Sequence, residues 1–160
     1  MKLLIVLLFA SLFTTVTWLG DFNQAKTEAT KSHKLILVNF SGSDWCGPCI
    51  RERKEILENA VFENFASDHL ILVRADFPRQ SKNQLSKEQV KLNEALADKY
   101  NPDGKFPYTL LIDENGKILK DWDGFPNESP ENFVAQIATL HISNLKLPVA
   151  HIKLMHDRFN

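Results

Sequence analysis

Polar and apolar positions fall along this chain in blocks that switch between a helical period and a strand period. Asp21 stands where it can cap a helix reaching about Ser32, with Phe22, Ala25 and Ala29 on one face. Leu35-Ile36-Leu37-Val38-Asn39-Phe40 follows, a nearly continuous apolar run of the kind a central strand buried on both faces requires. The next block repeats as a helix, with Ile50, Leu57, Val61 and Phe65 predicted inward and Arg51, Glu52, Lys54 and Glu55 mostly in solvent. His69 to Phe77 reads as a second buried strand and Pro78 to Asn83 as a polar loop. Ser86-Lys87-Glu88-Gln89 is a capping box that opens a helix to about Tyr100, and Asn101-Pro102-Asp103-Gly104 stops it. Phe106 to Asp113 begins a third strand, Asn115-Gly116 turns the chain, and Lys117 to Trp122 returns beside it. Ser129-Pro130 starts a last helix carrying Phe133, Ile137 and Leu140. His141 to Asn160 has a mixed pattern broken by Pro148 and is read as a tail, either irregular or a short packed helix.

The first residues follow a different rule. Met1-Lys2 is a short positive start, and Leu3 to Leu19 holds no charged residue, with Leu3 to Phe13 the most apolar part. That length suits the apolar stretch of a signal peptide, here residues 1–17, with Thr15 and Thr17 as the small residues before the cut. An uncleaved anchor competes, because the stretch just reaches the lower limit for crossing a bilayer. Either way the domain, residues 18–140, is exported, followed by the tail at 141–160. With 160 residues, 44% hydrophobic and 24% charged, one domain with a proper core is expected. A net charge of −1 with no basic stripe argues against nucleic acid as a partner.

The chemistry is concentrated in Trp45-Cys46-Gly47-Pro48-Cys49, which holds the chain's two cysteines. A strand that empties into Cys-x-x-Cys and then a helix brings two thiols to a helix N-terminus, where unpaired N–H groups and the dipole favour a thiolate. Pro48 fits the first helical turn, where a missing N–H matters little. Sulfurs this close can form a local disulfide that opens and closes, so the spacing predicts thiol–disulfide exchange. Two blander readings stand beside it. A zinc site would need four ligands, and His33, His69, His141, His151 and His156 show no tight pair at ligand spacing. A purely structural disulfide would close so short a loop that it contributes little stability.

With these residues in place, the chain from about Trp18 to Leu140 resembles thioredoxin-like proteins of an exported bacterial branch. The likeness rests on Trp45-Cys46-Gly47-Pro48-Cys49 after a buried strand, on Phe106-Pro107 opening the third strand, and on the Asn115-Gly116 hairpin. Asn39 to Cys46 and Asp76-Phe77-Pro78-Arg79 add to it. The resemblance implies an α/β thioredoxin-like fold, a central mixed β-sheet flanked by helices, exported to the periplasm. It assigns Cys46 as the nucleophile, Cys49 as the resolving thiol and Pro107 as a cis-proline facing them. Trp45, Gly47, Pro48, Phe106 and Pro107 would form the surface a substrate touches, although simple core packing also accounts for Trp45. No cofactor beyond the redox-active Cys46–Cys49 disulfide, and no metal, is implied.

Two departures from the family pattern bear on mechanism. Thioredoxins proper carry a buried aspartate in the strand before the motif, which helps move the resolving cysteine's proton. Here Asn39 stands at that position, and the loop to Cys46 is one residue longer. An amide cannot accept the proton, so water, a lysine or Asp44 must serve, or resolution slows. Asp44 itself reads first as a helix cap. With no acid behind the motif, Cys46 should show a single thiolate titration, lowered from ~8.5 toward neutrality and uncoupled from any buried carboxylate. Tyr108 follows the proline where threonine is common, which bears on partner choice. The function expected is an exported thiol–disulfide oxidoreductase, a dithiol reductant because Gly47-Pro48 resembles the reducing thioredoxins. An inert binding module and a disulfide oxidase are the alternatives. Its partners would be disulfide-containing exported proteins and a membrane electron donor, met by a monomer.

Overall fold

The apolar run after the first helix becomes the middle of a five-stranded sheet. The structure is a computed structural model describing residues 16–144; the apolar segment before residue 16 and the tail beyond residue 144 lie outside the described residues. Strands β1 (Trp18–Leu19), β2 (Leu35–Ser41), β3 (Leu70–Asp76), β4 (Tyr108–Ile112) and β5 (Ile118–Asp123) lie in the order β1-β3-β2-β4-β5. β1, β3 and β2 run parallel, while β4 and β5 are antiparallel additions. Helices α1 (Phe22–Ser32), α2 (Gly47–Glu52), α3 (Ala60–His69), α4 (Lys87–Tyr100) and α5 (Pro130–Asn144) flank this mixed sheet. It is a thioredoxin-like fold, as the motifs implied.

Every residue of β2 is buried, because helices cover both faces. Leu35 and Leu37 pack with Ile56, Leu57, Phe62 and Phe133 on one side, and Ile36, Val38 and Phe40 pack with Ala25, Ala29 and Leu96 on the other. Asp21 caps α1, accepting from the Asn23 N–H at 2.8 Å. Ser86 caps α4, but the capping box is only half built: the Gln89 amide donates to Gly20 O and Asn93 Oδ1, both at 2.8 Å. The turn between β4 and β5 is held by Asp113, whose Oδ1 accepts from Asn115 and Lys117 N–H groups, and Gly116 takes the positive φ of 88° there.

Three expectations change. Trp18 and Leu19 form a short edge strand on β3, which no pattern announced in so short a segment. The helix predicted to run on from the cysteines is broken: α2 passes into a π-helical turn, Arg53–Leu57, where the Glu58 N–H donates to Arg53 O, and Asn59 caps α3 anew. The added residue rotates the later register, so Phe62 and Ala66 face the core, Phe65 is half-buried and Val61 is 38% exposed. Glu52, expected in solvent, is 1% exposed. At the other end α5 continues through Asn144, so His141 to Asn144 are helical rather than tail. His141 packs there edge-on against His69, ring centres 5.4 Å apart.

Phe133 is fully buried between Trp122 and Phe62, with ring centres 4.6 and 6.1 Å away. Phe133→Ala should lower unfolding stability by about 3–5 kcal/mol, read from the denaturant midpoint. A loss under about 1 kcal/mol would show that α5 is peripheral to the core.

Candidate active site

The end of β2 releases the chain into a loop that two aspartates hold in place. Asp76, ending β3, accepts from the Ser43 N–H at 2.9 Å and the Ser43 hydroxyl at 2.6 Å. Asp44 binds the facing loop: Oδ1 accepts from Arg79 N–H, and Oδ2 from Gln80 N–H and the Asn83 amide, each at 2.9 Å. Those donors, the Arg79 N–H first, hold the Asp44 carboxyl below its usual range. Asp44 therefore does not cap the helix; Cys46 occupies that position, and its Sγ accepts from the Cys49 N–H at 3.2 Å.

Cys46 and Cys49 are joined in a disulfide, with Cα atoms 5.2 Å apart. They are 5% and 2% exposed, so both cysteines are buried to nearly the same degree, while Gly47 and Pro48 between them lie open to solvent. Trp45 is half-buried. Its indole N–H donates to Phe77 O at 2.7 Å, its ring meets Phe106 edge-on at 5.5 Å, and the Arg79 guanidinium lies 3.7 Å above it. A Cβ at Gly42 would come within 2.3 Å of this indole, so only glycine fits beneath it. Trp45, Phe77, Arg79, Leu85 and Phe106 line a cleft of 460 Å³. The Phe106–Pro107 bond is cis, and Pro107 is buried.

Behind the dithiol lies a group the sequence reading missed. The β2 face that begins with Leu35 and Leu37 turns polar at Asn39, which pairs in register with Arg74 on β3 and Thr109 on β4. Glu52 closes over this row. The Thr109 hydroxyl donates to Glu52 Oε1 at 2.7 Å, and the Asn39 amide donates to Glu52 Oε2 at 3.1 Å and to Thr109 Oγ1 at 2.9 Å. Burial pushes the Glu52 carboxyl up to about 7, opposed by these two hydrogen bonds and by the charge of Arg74. The expectation of no buried acid behind the motif is thus overturned: the carboxylate missing from the strand comes from the helix. Two signals pointed to it, a polar Asn39 on a buried strand face that needs a partner, and Glu52 one helical turn after Cys49.

Set against known proteins, the geometry has company. The thioredoxin-like family model matches residues 17–111, and the chain belongs to that family. A disulfide bond reductase, DsbH of Chlamydia pneumoniae, is 39% identical over 99 residues, covering 62% of this chain and 58% of that protein. The thioredoxin-related protein DsbJ of the same organism is 28% identical over 118 residues, 74% of this chain and 33% of that protein. This chain thus spans little more than half of the first relative and a third of the second. A solved structure of a DsbH oxidoreductase superposes with a TM-score of 0.71 at 31% identity, covering 79% of this chain and 85% of that one. Among the described residues, no helix is long and apolar enough to cross a membrane, and no group of three His, Cys, Asp or Glu side chains gathers as a metal site.

Glu52 predicts a pH dependence of stability in the disulfide form, where no thiol titrates. With its carboxyl raised from 4.5 to about 7, folded protein keeps the proton between those values while unfolded protein releases it. Stability therefore falls as pH rises through that window, by about 3 kcal/mol. Burial lowers His69 and His141, which works in the opposite direction. Those residues are common to wild type and Glu52→Gln, so they cancel in the difference. Urea unfolding at pH 4.5 and pH 8 should show Glu52→Gln gaining on wild type by about that amount at the higher pH. A difference independent of pH would mean Glu52 titrates like a solvated acid.

Proposed function

We propose that this chain is an exported thiol–disulfide oxidoreductase acting as a dithiol reductant of protein disulfides. The observation that carries the reading is the Cys46–Cys49 pair closing across the first turn of α2 beside an aromatic cleft. Its likeness to a protein named as a disulfide bond reductase supports the direction. In the reduced form, the Cys46 thiolate attacks one sulfur of a partner disulfide, and the other partner sulfur leaves as a thiolate. Cys49, having lost its proton, then attacks Cys46 Sγ, forming the Cys46–Cys49 disulfide and releasing the second partner thiol. Two electrons pass to the partner, and a membrane donor on the inner side returns them. Trp45, Gly47, Pro48, Phe106 and Pro107 form the surface an extended partner segment lies against. Residues 1–17 direct export to the periplasm, residues 18–140 form the working domain, which meets its partners as a monomer, and the disulfide serves as the sole redox group.

The test is reduction of insulin with dithiothreitol as electron source. Wild type should accelerate it, Cys46→Ser should fall to the uncatalysed rate, and Cys49→Ser should accumulate mixed disulfides. A Cys46→Ser protein as fast as wild type would remove the catalytic reading, and an inactive wild type would favour the inert module.

A further inference from the structure

Beside the dithiol, the aromatic cleft carries a cation, Arg79, that has no carboxylate partner among the described residues. Arg79 is exposed, and its guanidinium lies 3.7 Å from the centre of the Trp45 ring. The ion pairs among the described residues join Arg51 to Glu55, Arg53 to Glu58 and Lys105 to Asp123, so Arg79 takes part in none. The nearby acids are committed elsewhere. Asp44 accepts from the Arg79 and Gln80 backbone N–H groups and from the Asn83 amide. Asp76 accepts from Ser43 and from the Phe77 N–H at 3.0 Å. We propose that Arg79 and the cleft it borders select partner disulfides whose flanking segment carries an apolar side chain and, close by, a carboxylate. The proposal rests on the oxidoreductase reading and deepens it, naming the substrate class of that same site.

The indole is a fixed platform for the guanidinium. Its N–H donates to Phe77 O at 2.7 Å, Phe106 meets it edge-on, and Gly42 lies close against it. A stacked guanidinium keeps its planar fork of N–H donors open to a carboxylate, and little side-chain freedom remains to be lost on binding. The cleft, 460 Å³ in volume, presents Phe77, Leu85, Val90 and Phe106, all half-buried. That is room for an apolar side chain and the backbone that carries it. Trp45 adjoins Cys46, and an extended segment advances about 3.3 Å per residue. A partner chain with its cysteine at Cys46 therefore carries its next few residues over Trp45 toward Arg79. An exposed ion pair alone is weak, so selection needs both parts: the apolar side chain fills the cleft, and its chain sheds water from the clamp.

The experiment uses the reduced full-length chain and short synthetic peptides whose single cysteine is activated as a pyridyl disulfide. The Cys46 thiolate attacks the peptide sulfur, and pyridinethione leaves with the electron pair, so its absorbance reports the rate. Cys49, having lost its proton, then closes on Cys46 Sγ and frees the peptide thiol. The peptides carry leucine beside the cysteine and, about two positions from it, aspartate, asparagine or lysine, on either side. Each second-order rate is divided by that of the same peptide with dithiothreitol, which removes differences in intrinsic reactivity.

Wild type should prefer aspartate to lysine about 10-fold at low salt, with asparagine between, and added salt should shrink the preference. Arg79→Glu should reverse the order, and Arg79→Lys should keep its direction at reduced size. Lys82→Glu makes the same change of charge in the same loop, at an exposed position outside the cleft lining, and should leave the order as in wild type. Serine in place of the leucine should weaken the aspartate preference. Equal rates for the three peptides in wild type, or a preference that Arg79→Glu leaves untouched, overturns the proposal. So does a Lys82→Glu effect as large as that of Arg79→Glu, which would mean a diffuse field rather than a clamp. Wild type that reacts no faster than dithiothreitol with any peptide, or never frees the peptide thiol, marks failure of the oxidoreductase reading instead.

Discussion

Glu52 carries an acidic group into the interface between α2 and the sheet, and the interior has to supply what water would have given. That requirement dictates the polar residues around it. β2 must turn polar at Asn39 although its neighbours on the same face, Leu35 and Leu37, are core residues. β4 must present Thr109, 1% exposed, directly opposite Asn39 in the antiparallel register. Losing either donor leaves a buried acceptor unpaired, a penalty of about 1–3 kcal/mol. The register continues the row to Arg74 on one side and Trp122 on the other. The polar band thus separates the aliphatic core from the dithiol end of the sheet.

The elements above that band hold the sulfurs where exchange is possible. Asp76 fixes Ser43 and Asp44 fixes the Arg79–Asn83 loop, so the segment entering α2 is tied to the end of β3 and to the loop that follows it. The carboxylate at Asp44 is occupied with those amides, and Trp45 is clamped between Gly42, Phe106 and Arg79. The π turn after Glu52 lets one helical segment serve two ends: α2 keeps Cys49 and Glu52 on a common inward face, while α3 restarts with Phe62 and Ala66 inward. An unbroken α-helix advances 100° per residue and would not satisfy both.

What the sequence made legible was the part governed by local pattern. The buried strand at 35–40, the Cys-x-x-Cys turn into a helix, the caps at Asp21 and Ser86 and the turn at Asn115-Gly116 each depend on near neighbours along the chain. The mixed sheet followed from the family resemblance, since the pairing of β2 with both β3 and β4 is not written in any one segment. Three features were hidden for physical reasons. Glu52 looked solvated because charged residues surround it in sequence, and its partners lie 13 and 57 positions away. Asp44 looked like a cap because its residue type suits one, yet unpaired amides at 79 and 80 compete for the same oxygens. The π turn leaves no compositional mark, and a one-residue slip was enough to exchange Val61 for Phe62 in the core.

The central claim is that Glu52 is a buried acid held behind the dithiol by Asn39 and Thr109, and its carboxyl carbon reports on it directly. Its ¹³C shift can be followed through a pH titration of the disulfide form by NMR. A midpoint near 7 is expected in the disulfide form. A midpoint near the ordinary carboxyl value of 4.5 would contradict it.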